Sequence, residues 1–130
     1  MSRAQLNDYI RSVHSARFQY GRHDCALFAA GWVKVKTGRD LTGGASYASL
    51  REGVELLQAR GYSDHVEAAA AVLQEIPVLS ARLGDIAVLP GRRRIPILGI
   101  VTGERIAVLM RPKGGGFVPL TEAVRAFRVE

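Results

Sequence analysis

The hydrophobic period of this chain changes once, near Pro77, and that change limits what the chain can fold into. Before it, apolar residues recur at helical spacing; after it, they come in short runs cut by turn residues. Helices grouped before strands exclude an alternating βαβ sheet. They predict an α+β domain, with N-terminal helices packed on a C-terminal antiparallel sheet of about five strands. The 130 residues, 48% of them hydrophobic, suffice for one core, so residues 1–130 read as a single domain with no linker to divide it.

In the first half, Leu6, Tyr9, Ile10 and Val13 mark one face of a helix starting close to Ser2. Cys25, Phe28, Ala29, Trp32 and Val33 mark a buried helix from Cys25 to about Lys36, with Asp24 as its cap and Gly38 as its stop. The polar loop Thr42-Gly43-Gly44-Ala45 leads to a third helix from Ser46, with Leu50, Val54 and Leu57 facing inward and Gly61 at its end. A fourth runs from about Asp64 to Glu75. In the second half, strands are predicted at Asp85–Leu89, Ile97–Val101, Arg105–Leu109, Phe117–Leu120 and Ala126–Val129, with a helical turn from Thr121 to Arg125.

Composition narrows the function classes. The first residues lack the uninterrupted apolar core of a signal peptide, and no apolar run approaches the ~20 residues of a membrane span. The expectation is a chain that stays in the cytoplasm where it is made. A formal charge of +6 favours a polyanionic or acidic neighbour. Nucleic acid is disfavoured, because no helix-turn-helix, zinc pattern or interleaved aromatics accompany the charge. Arg92, Arg93 and Arg94 fall in one turn and Arg111 and Lys113 in another, and together they would form a basic docking end of the sheet. Lys113-Gly114-Gly115-Gly116 lacks the strand-loop-helix setting of a phosphate loop, so no cofactor is expected.

A single cysteine excludes an internal disulfide, and a zinc site would have to combine it with scattered histidines, so no metal is expected. Cys25 stands at a helix N-terminus, beside Arg22 and His23, where backbone N–H groups and the helix dipole favour a thiolate. The same residue, followed by Ala-Leu-Phe-Ala-Ala, is also what a buried small hydrophobe looks like.

The segment from Gln19 to Val33, with Tyr20-Gly21 before Asp24-Cys25 and an apolar helix after, resembles the nucleophile motif of the NlpC/P60 cysteine peptidases. Leu83-Gly84-Asp85-Ile86 resembles the strand that opens that family's sheet, and Leu98-Gly99-Ile100-Val101 its second strand. The resemblance implies a papain-like fold and peptidoglycan as substrate, with Cys25 as nucleophile and Asp24 or Tyr20 helping at the oxyanion side. A closer resemblance, through Trp32-Val33, Thr37-Gly38-Arg39-Asp40, Val118-Pro119-Leu120 and Phe127-Arg128-Val129, is to a small phage and prophage group related to NlpC/P60.

One position departs from the peptidase pattern. The histidine base expected two residues before Gly99-Ile100 is Ile97, which accepts no proton. The partner expected to orient that base falls among Ile106 to Val108, also apolar. His23 adjoins Cys25 across a loop-to-helix junction, and His65 reaches a cleft only if the fourth helix crosses it; His14 sits on the first helix. The expected function is a structural or adaptor component of a phage or gene-transfer particle tail, bound to hub or tail-tip proteins and carried from the host cytoplasm into the virion. The alternatives are a peptidoglycan peptidase or amidase using Cys25 with a non-standard base, and a cytosolic domain whose basic sheet end binds an anion.

Overall fold

A computed structural model describes residues 3–13, 17–44, 46–91, 95–110 and 114–130. His14, Arg92, Arg93, Arg94, Arg111 and Lys113 therefore lie outside the described residues, as does Ser2. Helix α1 (Arg3–Val13) buries Leu6 and Ile10. Tyr9, on the same face, stacks on Phe28 at 5.8 Å and donates its hydroxyl to the Phe28 carbonyl at 2.6 Å.

Helix α2 (Cys25–Thr37) begins and ends where its caps require. The Asp24 carboxylate accepts the Leu27 N–H at 2.8 Å, and Gly38 takes the left-handed conformation at φ 81° while its N–H returns to the Lys34 carbonyl. Between the caps, Phe28, Ala29, Trp32 and Val33 are buried against the sheet. The Trp32 indole N–H, which would otherwise be an unpaired polar group in the core, donates to the Gly84 carbonyl at 2.7 Å.

The next two helices are shorter than expected. Helix α3 (Leu50–Ala59) starts at Leu50 and not at Ser46, because Ser49 is the residue whose side chain caps it, accepting the Glu52 N–H. Its expected inward face does not reach the core: Leu50, Val54 and Leu57 are only half-buried. Helix α4 (His65–Ala70), capped by Asp64, stops well before Glu75. The chain turns through Ala71–Leu73 and enters strand β1 (Gln74–Ile76).

Strand β1 corrects the expected strand number. Among the described residues the sheet has six strands, all antiparallel, in the order β1-β6-β2-β3-β4-β5. The others are β2 (Ile86–Leu89), β3 (Ile97–Val101), β4 (Arg105–Met110), β5 (Gly114–Pro119) and β6 (Arg125–Arg128). β1 completes the open edge of β6, and Arg125 holds it there with two hydrogen bonds to Glu75, at 3.0 and 2.8 Å, and one to Glu67. The strand expected at Phe117–Leu120 begins earlier, at Gly114, and lies at the opposite edge, where Pro119 removes no ladder bond from an interior strand. The helical turn expected from Thr121 is a 3₁₀ turn at Leu120–Glu122, and β6 starts at Arg125, one residue early.

Both faces of the sheet are apolar. Ile86, Val88, Leu98, Ile100, Leu109 and Phe127 pack under the helices, while Ala87, Leu89, Val101, Ile106 and Val108 form a second cluster with Val118, Leu120 and Ala123. This is why the strands read as unbroken apolar runs. Asp85 ties the sheet to the C-terminal segment: its buried carboxylate accepts the Arg82 and Val129 N–H groups at 2.8 and 3.1 Å and lies 3.4 Å from the Arg128 guanidinium.

Gly99 sits at the tightest point of the sheet. A Cβ there would stand 2.4 Å from the Ile106 side chain and 2.8 Å from the Ala107 carbonyl oxygen, which is backbone and cannot swing away. Gly99→Ala is expected to lower stability by roughly 1–3 kcal/mol, the usual cost of overpacking. Urea unfolding measures it, and an unchanged midpoint would show that β3 and β4 can separate freely.

Candidate functional site

The site is built around the turn before α2. Gln19 and His23 exchange two backbone hydrogen bonds, at 2.9 and 2.8 Å, closing a loop through Tyr20, Gly21 and Arg22. Gly21 has φ 85°, and a Cβ on it would lie 1.7 Å from the Tyr47 carbonyl oxygen. Only glycine combines that conformation with that approach. The Asp24 carboxylate then gathers three segments: the Leu27 N–H of α2, the Gly21 N–H at 3.0 Å and the Tyr47 hydroxyl at 2.5 Å. The aromatic-Gly and Asp-Cys elements of the motif thus have a structural reason that involves no chemistry.

Cys25, the first residue of α2, lines a cavity of about 920 Å³. Also in its wall are Tyr20, Asp24, Tyr47, His65 and Ile97. Burial pushes the Cys25 thiol up to about 11, opposed by the Leu98 backbone N–H and α2's first amides and reinforced by the Asp24 charge. Of the two readings the sequence left open, reactive thiol and buried small hydrophobe, burial here works against the helix N-terminus and favours the protonated form.

The sequence-nominated residues meet only in part. Ile97, at the start of β3, is among the residues lining the cavity but packs against the second apolar cluster with Leu89 and Val101, so the position expected to hold the base offers only hydrocarbon. Ile106, Ala107 and Val108, where an orienting partner was expected, are fully buried. Tyr20 lines the cavity and packs edge-on to Phe18 at 4.9 Å. His23 closes the turn through its backbone and is not among the residues lining the cavity.

Two residues join the site from elsewhere. Tyr47 comes from a polar loop with no local signal of its role; burial and its bond to Asp24 raise its hydroxyl well above the usual range. His65 opens α4, which does cross the cleft. Its ring bonds to the Pro96 carbonyl, and burial holds it below the usual imidazole range against the raising effect of the Asp64 and Asp24 charges. Its Nε2 is buried without a hydrogen-bond partner, so no Cys25–His65 bond is formed. Among the described residues, no group of three His, Cys, Asp or Glu side chains is placed to hold a metal ion, and no helix is long and apolar enough to cross a membrane.

The family model described as "Domain of unknown function (DUF6950)" matches residues 2–129. Among solved structures, the chain is similar to one titled "Crystal structure of NlpC/p60 domain of peptidoglycan hydrolase SagA", with a TM-score of 0.66 and 14% sequence identity over 98% of this chain and 99% of that one. That likeness establishes an NlpC/P60-like fold. No curated protein matches the chain.

Two measurements probe this geometry. With its thiol pushed up to about 11, Cys25 is expected to react with iodoacetamide at a rate that climbs about tenfold per pH unit from neutrality to pH 10 without levelling, because only the thiolate attacks. A plateau beginning near pH 7 would mean that the thiolate is stabilised. Asp24→Ala removes the cap of α2 and unpairs the Gly21 N–H and the Tyr47 hydroxyl. It is expected to cost about 2–4 kcal/mol in urea unfolding, more than a surface cap alone.

Proposed function

Because the chain belongs to the DUF6950 family and has an NlpC/P60-like fold, we propose that it is a catalytically degenerate NlpC/P60-type module, a structural or adaptor component of a phage or gene-transfer particle tail tip. The observation that supports a loss of chemistry is Ile97: beside a half-buried thiol pushed up to about 11, the place expected for the general base is an isoleucine. A cysteine without a positioned proton acceptor neither forms its nucleophile at neutral pH nor reprotonates a leaving amine.

The assignment to a tail rests on the sequence resemblance to phage and prophage proteins. Several residues that carry it have structural work here: Trp32 anchors α2 to Gly84, Gly38 ends α2, and Phe127 fills the core. In this reading the chain folds in the host cytoplasm, docks on a hub or tail-tip protein, and enters the virion. Its partners are proteins, with peptidoglycan at most a surface that the tail meets.

A second reading is favoured by one observation, the unpartnered Nε2 of His65 in the wall of the cavity that holds Cys25. Were that nitrogen to reach Cys25, it could accept the thiol proton, giving a peptidoglycan peptidase with its base on a helix and not on the sheet.

The decisive experiment is peptidoglycan solubilisation by the purified chain, with particle analysis alongside it. The adaptor reading expects no release above buffer, the chain present in mature particles, and unchanged titre with Cys25→Ala. Release that vanishes with both Cys25→Ala and His65→Gln would overturn it in favour of the second reading. Absence from particles would remove the tail assignment.

A further inference from the structure

The cavity is larger than a degenerate cysteine site requires. Its volume, about 920 Å³, is that of a small-molecule site. Most of its wall is apolar, built from Leu41, Leu50, Val54, Leu57, Ile95 and Leu109 among others. Helix α3 supplies one side. It is amphipathic, yet none of its residues is fully buried. Leu50, Val54 and Leu57 turn toward the empty space, leaving apolar surface that a hydrocarbon would cover.

The two ends of that side differ in charge. A ten-residue helix is about 15 Å long, so the cavity runs that far beside α3. Near the helix start, Tyr47 meets Asp24. Just past its end, the Arg60 guanidinium lines both the cavity and an adjoining recess shared with Arg39. Arg60 donates to the Thr42 carbonyl and Arg39 to that of Val72. Neither forms an ion pair among the described residues. The acidic groups nearby are already engaged: Asp64 caps α4, Asp24 holds its three donors, and Asp40 in the recess binds the N–H and hydroxyl of Thr42 at 2.9 and 2.6 Å.

We propose that this cavity binds a linear aliphatic carboxylate, with its chain lying along α3 toward Cys25 and its carboxylate at the mouth on Arg60 and Arg39. At the mouth two guanidinium groups outweigh the one Asp40 carboxylate, whereas the reverse orientation would bring the ligand's carboxylate against Asp24, which has no cation paired with it among the described residues. A guanidinium with unused N–H groups is the side chain best suited to take a carboxylate. The protonated thiol at the inner end is a weakly polar surface that tolerates a methyl terminus. This site is independent of the tail reading, since nothing in it requires a partner protein.

The test is titration of the intact chain with dodecanoate and with dodecanol, both below their aggregation thresholds, by isothermal titration calorimetry. Shielding of Cys25 from iodoacetamide serves as a second readout. Saturable one-to-one binding of dodecanoate is expected, with dodecanol about tenfold weaker for want of the charged hydrogen bond. Arg60→Gln, on the exposed rim, should abolish the difference between the two probes. Val54→Trp, which fills the cavity, should weaken both while the chain still unfolds cooperatively. Equal binding of the two probes to the wild-type chain would overturn the carboxylate assignment. No binding at all, binding indifferent to a folded Val54→Trp, or binding only to anionic vesicles would overturn the cavity itself as the site.

Discussion

A single buried carboxylate organises the part of this molecule where chemistry would occur. Asp24 is 3% exposed, and among the described residues no cation pairs with it; its partners are the N–H groups of Gly21 and Leu27 and the hydroxyl of Tyr47. A buried carboxylate is tolerable only when its lone pairs are met by donors, so three separate segments are drawn to one point. The turn before α2, the first turn of α2 and the approach to α3 are fixed together. Cys25 follows Asp24 directly, and its place beneath the Leu98 N–H of β3 is a consequence of that arrangement. The Asp-Cys pair therefore has a structural role that does not depend on catalysis.

The remainder of the core depends on α2 staying where Asp24 starts it. Trp32 reaches Gly84 across the helix-sheet interface, and the Lys36 ammonium donates to the Val129 carbonyl. Gly84 immediately precedes Asp85, whose carboxylate binds the Val129 N–H, so the Gly-Asp pair and the C-terminal segment close on the same helix. The two motifs that look most enzymatic in the sequence thus both have structural roles: Asp24 starts α2 and ties it to two loops, and Gly84-Asp85 joins the sheet to α2 and to the C-terminal segment.

What could be read from the sequence follows from how local its cause is. The bounds of α2 were legible because Asp24 and Gly38 act within one turn of themselves, and β2, β3 and β4 were legible because buried strands announce themselves as short apolar runs. β1 was not, because three residues, Gln-Glu-Ile, become a strand only through the free edge of β6 and the grip of Arg125 on Glu75. Helix α3 begins later than the predicted start at Ser46, because the side chain that accepts the capping hydrogen bond is that of Ser49. In the site, Cys25, Asp24 and Tyr20 could be found by motif, but Tyr47 and His65 enter by tertiary packing alone. The state of the Cys25 thiol stayed open in the sequence for a related reason: a helix N-terminus is visible there, whereas desolvation belongs to the assembled cavity.

The apolar wall and the missing base are linked. A histidine on β3 would need a polar partner behind it to fix its tautomer and a polar cleft in front to carry the charges of an ion pair. Ile97 packs on the buried Ile106 and Val108, and the cavity beside it is walled by Ile95, Leu98 and the apolar side of α3. Such surroundings raise the cost of a thiolate, as the upward displacement of Cys25 records, and equally raise the value of contact with hydrocarbon. Restoring one histidine would leave both conditions in place. The apolar wall thus weighs against a charged thiolate and for hydrocarbon contact at the same place.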